Sequence, residues 1–349
     1  MSNLLIYKNP STFDRLDELG IDYTDTLTAY QIGFLGNTGM GIDRTVPSIF
    51  NLTPCPIPSY LTTKSFSDIV YDRATDLKNQ GYQDVLVSGL SSLVVVRALE
   101  DVGVKPHVII TDNDIQTLPE VYERIKHLSH DIVPLSELMN GNILKTKVIT
   151  GSGGKYLYNV SNNYWLSNFP GIDMGKNVIP FNLSVIVFNA MNMGIWYKNR
   201  FKSSAMAKYY SDKKVAFRNI EEYLQGLMSR SPIEIKTKYD FYWWISFVMK
   251  WYSIRYRFIG ITGNFVNTES FFDTPDFQSW SIANHYTKSR KVFSDFIGQD
   301  IELKSSNVVR YYSNNVTWKI CWADSDGQMV PESISPTIDQ VRSVLSNQP

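Results

Sequence analysis

Between residues 65 and 150 short apolar runs alternate with stretches of helical period, and this alternation restricts the fold more than any other feature of the chain. Ser65 is placed to cap a helix whose apolar stripe is Phe66, Ile69, Val70, Ala74 and Leu77, with Gly81 positioned to stop it. Asp84-Val-Leu-Val-Ser88 follows as an apolar run of strand type. The pattern then predicts a helix over 91–102 ending at Gly103, a strand over 106–111, a helix over 118–128, and strands over 131–134 and 144–150. Strands separated by helices of about a dozen residues predict an α/β fold, with a parallel sheet covered on both faces.

The flanking regions read differently. Residues 1–63 are irregular, with Gly36, Gly39 and Gly41 close together and Pro54, Pro56 and Pro58 in alternation, so an extended wrapping arm is expected there. The α/β core is expected over 64–154, and residues 155–349 as a helical, aromatic-rich region that completes or covers it. Within that region 155–215 gives no assignable pattern, broken as it is by Pro170, Gly171 and Pro180. Helical period returns over 219–228. It is strongest over 239–258, where Trp243, Trp244, Phe247, Val248, Trp251 and Ile254 share one face and read as core. Short helices over 275–282 and 291–297, a strand over 316–322 and a terminal helix over 337–345 complete the reading.

Composition narrows the function classes. With 34 Lys+Arg against 34 Asp+Glu the net charge is zero, which argues against a nucleic-acid clamp or a polybasic membrane binder. Charged residues are 19% and aromatics 13%, so the surface has little charge to oppose association, and a protein partner or self-association is expected. Two cysteines, Cys55 and Cys321, are too few for a disulfide framework and point to a reducing compartment. No apolar stretch approaches the 18 or so residues of a membrane span, and the N-terminus lacks a signal-peptide core, so a soluble intracellular protein is expected.

Three segments carry candidate chemistry. In Val85-Leu-Val-Ser-Gly-Leu-Ser-Ser92 a strand runs through small residues into a helix, which gathers backbone N–H groups and the positive helix end at one point. That suits an anion, although a tight turn capped by serine would need the same residues. Thr111-Asp-Asn-Asp114 follows the next strand, either as a second ligand-binding loop or as a polar turn. Lys198, Arg200, Lys202, Lys208, Lys213, Lys214 and Arg218 interleave with Tyr197, Phe201, Tyr209 and Tyr210, a composition that suits single-stranded nucleic acid and equally a solvated helix face. His107, His127, His130 and His285 form no metal-spaced set.

The first of these segments resembles the PP-loop of N-type ATP pyrophosphatases, a Ser-Gly-Gly-x-Asp-Ser pattern after a strand. The chain is similar in particular to the asparagine-synthase-like proteins of bacteriophages. Gly151-Ser-Gly-Gly-Lys-Tyr-Leu-Tyr158 stands where such proteins have a Gly-Asp-x-x-x-Gly type loop. The stretches Trp243 to Trp251, with Arg255 and Arg257, and Phe271 to Trp280 are similar to further signatures of the phage group, so the resemblance spans about residues 60 to 300. It implies a three-layer sheet of PP-loop type, residence in a host cytoplasm or virion, and a site for ATP with magnesium. The nucleotide-binding positions it implies are Ser88, Gly89, Ser91, Ser92, Gly151, Gly153, Gly154 and Lys155, with Asp112 near adenine and ribose.

The departures change the expected function. Ser91 stands where the family has the acidic residue of the first loop, and Gly153-Gly154-Lys155 offers a cation where the second usually supplies an Asp. Magnesium needs oxygen ligands, preferably charged, so a catalytically degenerate binding or assembly module is expected. The alternatives are an adenylylating enzyme in which Lys155 offsets phosphate charge, and a virion component. The chain begins Met1-Ser2 without the cysteine nucleophile of glutaminase-bearing asparagine synthases, so glutamine-fed ammonia transfer is not expected.

Overall fold

The computed structural model describes residues 3–6, 10–18, 20–34, 43–45, 57–139, 147–151, 154, 180–250, 268–285, 291–298, 320–323 and 329–330. Two compact units interleave along the chain. A helical unit comprises Met1–Pro56, Val160–Ser253 and Thr317–Pro349, and a sheet unit comprises Ile57–Asn159 and Ile254–Val316. The sequence reading, by contrast, divides the chain into consecutive segments.

The helical unit opens with strand β1 (Asn3–Ile6) and helices α1 (Pro10–Glu18) and α2 (Thr24–Phe34). Residues 10–34 are therefore not the irregular arm that their sequence suggests. Pro10 suits the first turn of α1, whose Phe13 and Leu16 are buried, while α2, weak in helical period, is held by tertiary packing of Leu27 and Ile32.

The sheet unit follows the alternation closely. Helix α3 (Phe66–Asn79) buries its five-residue stripe and starts with a capping box, in which Ser65 Oγ accepts from Asp68 N–H and Asp68 Oδ2 accepts from Ser65 N–H, each at 3.1 Å. Gly81 ends it with φ +78°, a left-handed conformation that favours glycine. Then come β2 (Asp84–Val87), α4 (Leu90–Asp101), β3 (His107–Thr111), α5 (Asp112–Thr117), α6 (Pro119–Ile125), β4 (His130–Val133), α7 (Leu135–Met139) and β5 (Val148–Thr150). The helix expected over 118–128 is α6, and the short α5 before it was not expected; Leu118, forced out of helical geometry before Pro119, sits at φ −134° and separates the two.

The region that resisted assignment is strongly helical in its described part, with α8 (Leu183–Phe201), α9 (Ser204–Tyr209) and α10 (Lys213–Ser229) in the helical unit. Helix α11 (Lys238–Ile245) continues into a π-helical stretch over Ser246–Lys250. The rest of that predicted helix, from 251, lies outside the described residues. The sheet unit resumes with β6 (Thr268–Ser270), α12 (Pro275–Ala283) and α13 (Lys291–Ile297). Strands β7 (Ile320–Ala323) and β8 (Met329–Val330) join β1 in an antiparallel sheet of the helical unit. The terminal helix expected over 337–345 lies outside the described residues.

The five-stranded sheet has the order β4-β3-β2-β5-β6 and is parallel throughout, so this unit is an α/β fold. Strands β2 and β5 are buried along their whole length, as expected for strands covered on both faces. Leu86, Ile109, Val133, Leu138 and Val148 form one core cluster. A second consists of aromatic rings. Phe66 lies with its ring centroid 5.2 Å from both Trp280 and Phe293, and Phe272 lies 5.1 Å from Phe277 and 5.2 Å from Phe293. Burying each such side chain contributes about 2–3 kcal/mol, enough to tie α3, α12 and α13 to the end of β6.

Candidate functional site at the β2–β5 switch point

The strand order places β3 and β4 on one side of β2 and β5 and β6 on the other. Such a reversal opens a crevice outside the carboxyl ends of the two central strands, where α/β sheets bind ligands. The two loops at this point are those that follow β2 and β5, held side by side by the pairing of Val85 with Ile149 and Leu86 with Thr150.

After β2 the chain turns sharply. Gly89 has φ 153° and ψ −167°, a conformation essentially limited to glycine, and it is the N-cap of α4 without any side-chain cap. Its carbonyl accepts from the N–H groups of Ser92 (3.0 Å) and Leu93 (3.3 Å), which leaves the Leu90 and Ser91 N–H groups at the helix start without an intrahelical acceptor. Ser88 N–H donates to Ser92 Oγ at 3.2 Å, and Ser92 is only 2% exposed. That hydroxyl closes part of the loop onto itself.

After β5 the second loop presses against the first. A Cβ on Gly151 would lie 2.7 Å from Ser92 N and 2.8 Å from the Ser91 carbonyl carbon, so only glycine lets the two backbones meet. A Cβ on Gly154 would lie 2.8 Å from Ser91 Oγ and 2.9 Å from the Phe272 ring. The loop after β6 thus joins the same edge, helped by the Phe271 N–H donating to Thr150 O at 2.9 Å. Six of the expected positions, Ser88, Gly89, Ser91, Ser92, Gly151 and Gly154, come together; Gly153 and Lys155 lie outside the described residues. Phe272 was missed as a site residue. Its place depends on β6 pairing with a strand more than a hundred residues earlier.

Asp112 opens α5, just past the next strand outward, and performs local work. Its Oδ1 accepts from Asn113 N–H (2.8 Å) and Leu135 N–H (3.0 Å), fastening the β3 turn to the start of α7. Asp114 is buried and accepts from the Thr111 hydroxyl at 2.7 Å, while that hydroxyl accepts from Asp114 N–H at 3.0 Å. Among the described residues no three His, Cys, Asp or Glu side chains cluster as metal ligands. The described switch-point residues therefore offer backbone donors suited to phosphate, and no carboxylate set suited to magnesium.

Elsewhere, the basic stretch turns its described tyrosines inward. Tyr209 is half-buried with its Oη 2.7 Å from Thr28 Oγ1, and Tyr210 is 3% exposed, so the Tyr210 ring is not offered for stacking on bases. Lys208 pairs with Asp17 at 2.6 Å, while Lys202, Lys213, Lys214 and Arg218 are exposed. His107 stands at the opposite, amino edge of the sheet, between Ser129 Oγ (2.9 Å) and Asp131 Oδ2 (3.2 Å). Among the described residues no helix is long and apolar enough to cross a membrane.

In comparisons with known proteins, no family model, no curated protein and no solved structure matches this chain. What the fold and its switch point define is an α/β protein with a five-stranded parallel sheet and a serine- and glycine-built loop pair at its carboxyl edge.

Proposed function

We propose that the chain is a catalytically degenerate relative of the PP-loop ATP pyrophosphatases, with a three-layer core of that type, an aromatic-rich helical complement, and a role in binding or assembly. The observation that carries this reading is the chemistry of the switch point. Neither Ser88-Gly-Leu-Ser-Ser92 nor Gly151-Ser-Gly-Gly-Lys155 contains a carboxylate, and Asp112 and Asp114 after β3 accept hydrogen bonds from Leu135 N–H and the Thr111 hydroxyl. An anion can be held by the α4 N-terminus, but neither of these two loop segments supplies a charged ligand for the metal that makes ATP chemistry efficient. The resemblance to phage proteins supports a host-cytoplasmic or virion-associated setting. Purified chain mixed with ATP and magnesium should release no pyrophosphate above the protein-free background. Release that Ser88→Ala and Ser91→Ala abolish would overturn the reading.

A second reading, an active adenylylating enzyme of the same superfamily, draws on the Leu90 and Ser91 N–H groups at the start of α4, which have no intrahelical acceptor. Phosphoryl chemistry depends chiefly on positioning, and a cradle of backbone donors with the Lys155 cation would supply it. It predicts that millimolar ATP with magnesium raises the melting temperature, and that the rise is lost in Gly89→Val. An unchanged melting temperature counts against it.

A further inference from the structure

Helix α8 shows solvent a face without charge. No Asp, Glu, Lys, Arg or His occurs from Asn182 to Tyr197, and the exposed positions in that span are Asn182, Ser184, Val185, Phe188, Asn189, Asn192 and Trp196. Phe188 is 60% exposed, Trp196 48% and Val185 40%, an outlay of apolar surface that a solvated helix face does not ordinarily carry. The opposite face, with Ile186, Val187 and Ala190, is buried in the unit's own core, where α8 packs on α2 and α10.

The spacing along the exposed face is symmetric. Phe188 and Trp196 stand four residues to either side of Asn192, and Val185 and Asn199 stand seven to either side. At about 100° per residue these five positions fall within an arc of about 80° and a length of about 21 Å. Two copies of such a helix laid antiparallel about a two-fold axis at Asn192 would set Phe188 of each against Trp196 of the other, and Asn192 against its own counterpart. Aromatic pairs of this kind add to the burial they bring, and two carboxamides can donate and accept reciprocally. A polar Asn in an apolar seam also fixes register.

We propose that this face of α8 is a two-fold interface between two copies of the chain. Charge selects that occupant. An uncharged face gives an acidic or basic partner nothing to pair with, whereas apposed to itself it brings no like charges together, and antiparallel helices align their dipoles favourably. The face is smaller than the 20–30 residues a side of a standard interface, so the dimer is weak and dissociates on dilution.

The test is sedimentation equilibrium of the full chain from about 10 µM to about 1 mM, a range that spans weak affinities. The apparent mass should climb toward the dimer with concentration. Phe188→Glu should hold it at the monomer throughout, and Phe188→Ala should shift the curve to higher concentration, both with unchanged circular dichroism. In a Cys55→Ser/Cys321→Ser background, Asn192→Cys should form a disulfide-linked dimer under oxidation at least tenfold faster than Gln225→Cys, a control on the exposed side of α10. The proposal is overturned by a monomer at the highest concentration, by a dimer that survives Phe188→Glu, or by equal cross-linking at the two positions.

Discussion

The helical and sheet units solve one problem, polar groups forced out of water, by different means. In the sheet unit the switch point is closed mainly by backbone: Gly89 takes a conformation other residues avoid, and Gly151 lets two loops touch. In the helical unit side chains do this work. Asp14 Oδ1 accepts from Ser203 Oγ, Ser204 Oγ and Ala205 N–H at 2.7–2.9 Å to cap α9, and buried Asp43 takes the Arg230 guanidinium at 2.6 Å. A parallel sheet satisfies its backbone internally and leaves only its edge loops to arrange. Packed helices leave many ends, and each needs a partner.

The largest expected effects test whether that contrast is real. Gly194 on α8 and Gly151 after β5 are both too crowded for a methyl group, but against different neighbours. A Cβ on Gly194 would overlap the Tyr210 hydroxyl, and one on Gly151 would meet Ser91 and Ser92 backbone. Gly194→Ala and Gly151→Ala should each cost about 3 kcal/mol, the upper range of overpacking, read by denaturant unfolding. Tyr210→Phe should return roughly half of the Gly194→Ala loss, because the buried hydroxyl has no partner among the described residues and its removal is nearly neutral alone. No side-chain substitution at 91 or 92 should rescue Gly151→Ala. Equal rescue in both places would erase the distinction.

The same contrast explains what the sequence showed. Strands β2, β3 and β5 are buried on both faces, so each is a continuous apolar run bounded by turn residues, legible without knowing the partner strand. Helix α8 was illegible because Val185, Phe188 and Trp196 lie outside while Ile186, Val187 and Ala190 lie inside, which leaves no polar face for periodicity to find. Helices α1 and α2 hide for another reason: their threonines and aspartates imitate loop composition, and tertiary contacts override it. At the site, serine and glycine residues after β2 and β5 announced a turn and an anion cradle. That Ser92 turns its hydroxyl back to Ser88, and that Phe272 closes the edge, are facts of three-dimensional pairing.

Ion pairs give the next step down in size. The Asp43 side chain is 2% exposed, so Arg230→Met removes the cation from a buried carboxylate and should cost about 2 kcal/mol, below the full range for buried pairs because Arg230 itself is 34% exposed and Asp43 keeps its Thr45 and Tyr223 donors. Lys64 pairs with Asp72 and Asp276 on the surface of the sheet unit, at 2.9 and 3.2 Å, and Lys64→Met should cost less than Arg230→Met because solvent screens the exposed pairs. A larger loss at Lys64 than at Arg230, measured by urea unfolding, would reverse the assignment of side-chain dependence to the helical unit.

Alkaline pH should separate the units more gently. Burial pushes the phenols of Tyr23, Tyr209 and Tyr242 up to about 12, and those of Tyr210 and Tyr223 well above the usual phenol value; all five belong to the helical unit. In the sheet unit Tyr60 and Tyr71 are raised as well, but both are exposed. A raised phenol keeps its proton in the folded state while the unfolded chain releases it above about pH 10. Stability from this source is complete below pH 10 and falls as pH rises toward 12. Hydrogen exchange followed peptide by peptide should therefore show α10 and α11 losing protection before β2 and β3, and the reverse order would remove tyrosine burial as the cause.

The smallest effect sets one motif in two environments. Capping boxes start α3 in the sheet unit and α11 in the helical unit, with Asp68 exposed in the first and Asp240 fully buried in the second. Asp240 Oδ2 accepts from Lys236 N–H, Thr237 N–H and Thr237 Oγ at 2.8–3.1 Å, so Asp240→Ala leaves three part-buried donors without their acceptor and a gap where the buried carboxylate stood. Asp68→Ala leaves its donors in solvent, and the shift in melting temperature should be the smallest of the set. The Ser65 hydroxyl and then its N–H hold the Asp68 carboxyl below the usual carboxylate range. A depressed carboxyl stabilises above its unfolded value near about 4 and stops doing so as pH falls through its folded value. The difference between wild type and Ser65→Ala should accordingly narrow below about pH 4. A difference that stays constant to pH 2 would mean that the Ser65 side chain, rather than the ionised Asp68, carries this cap.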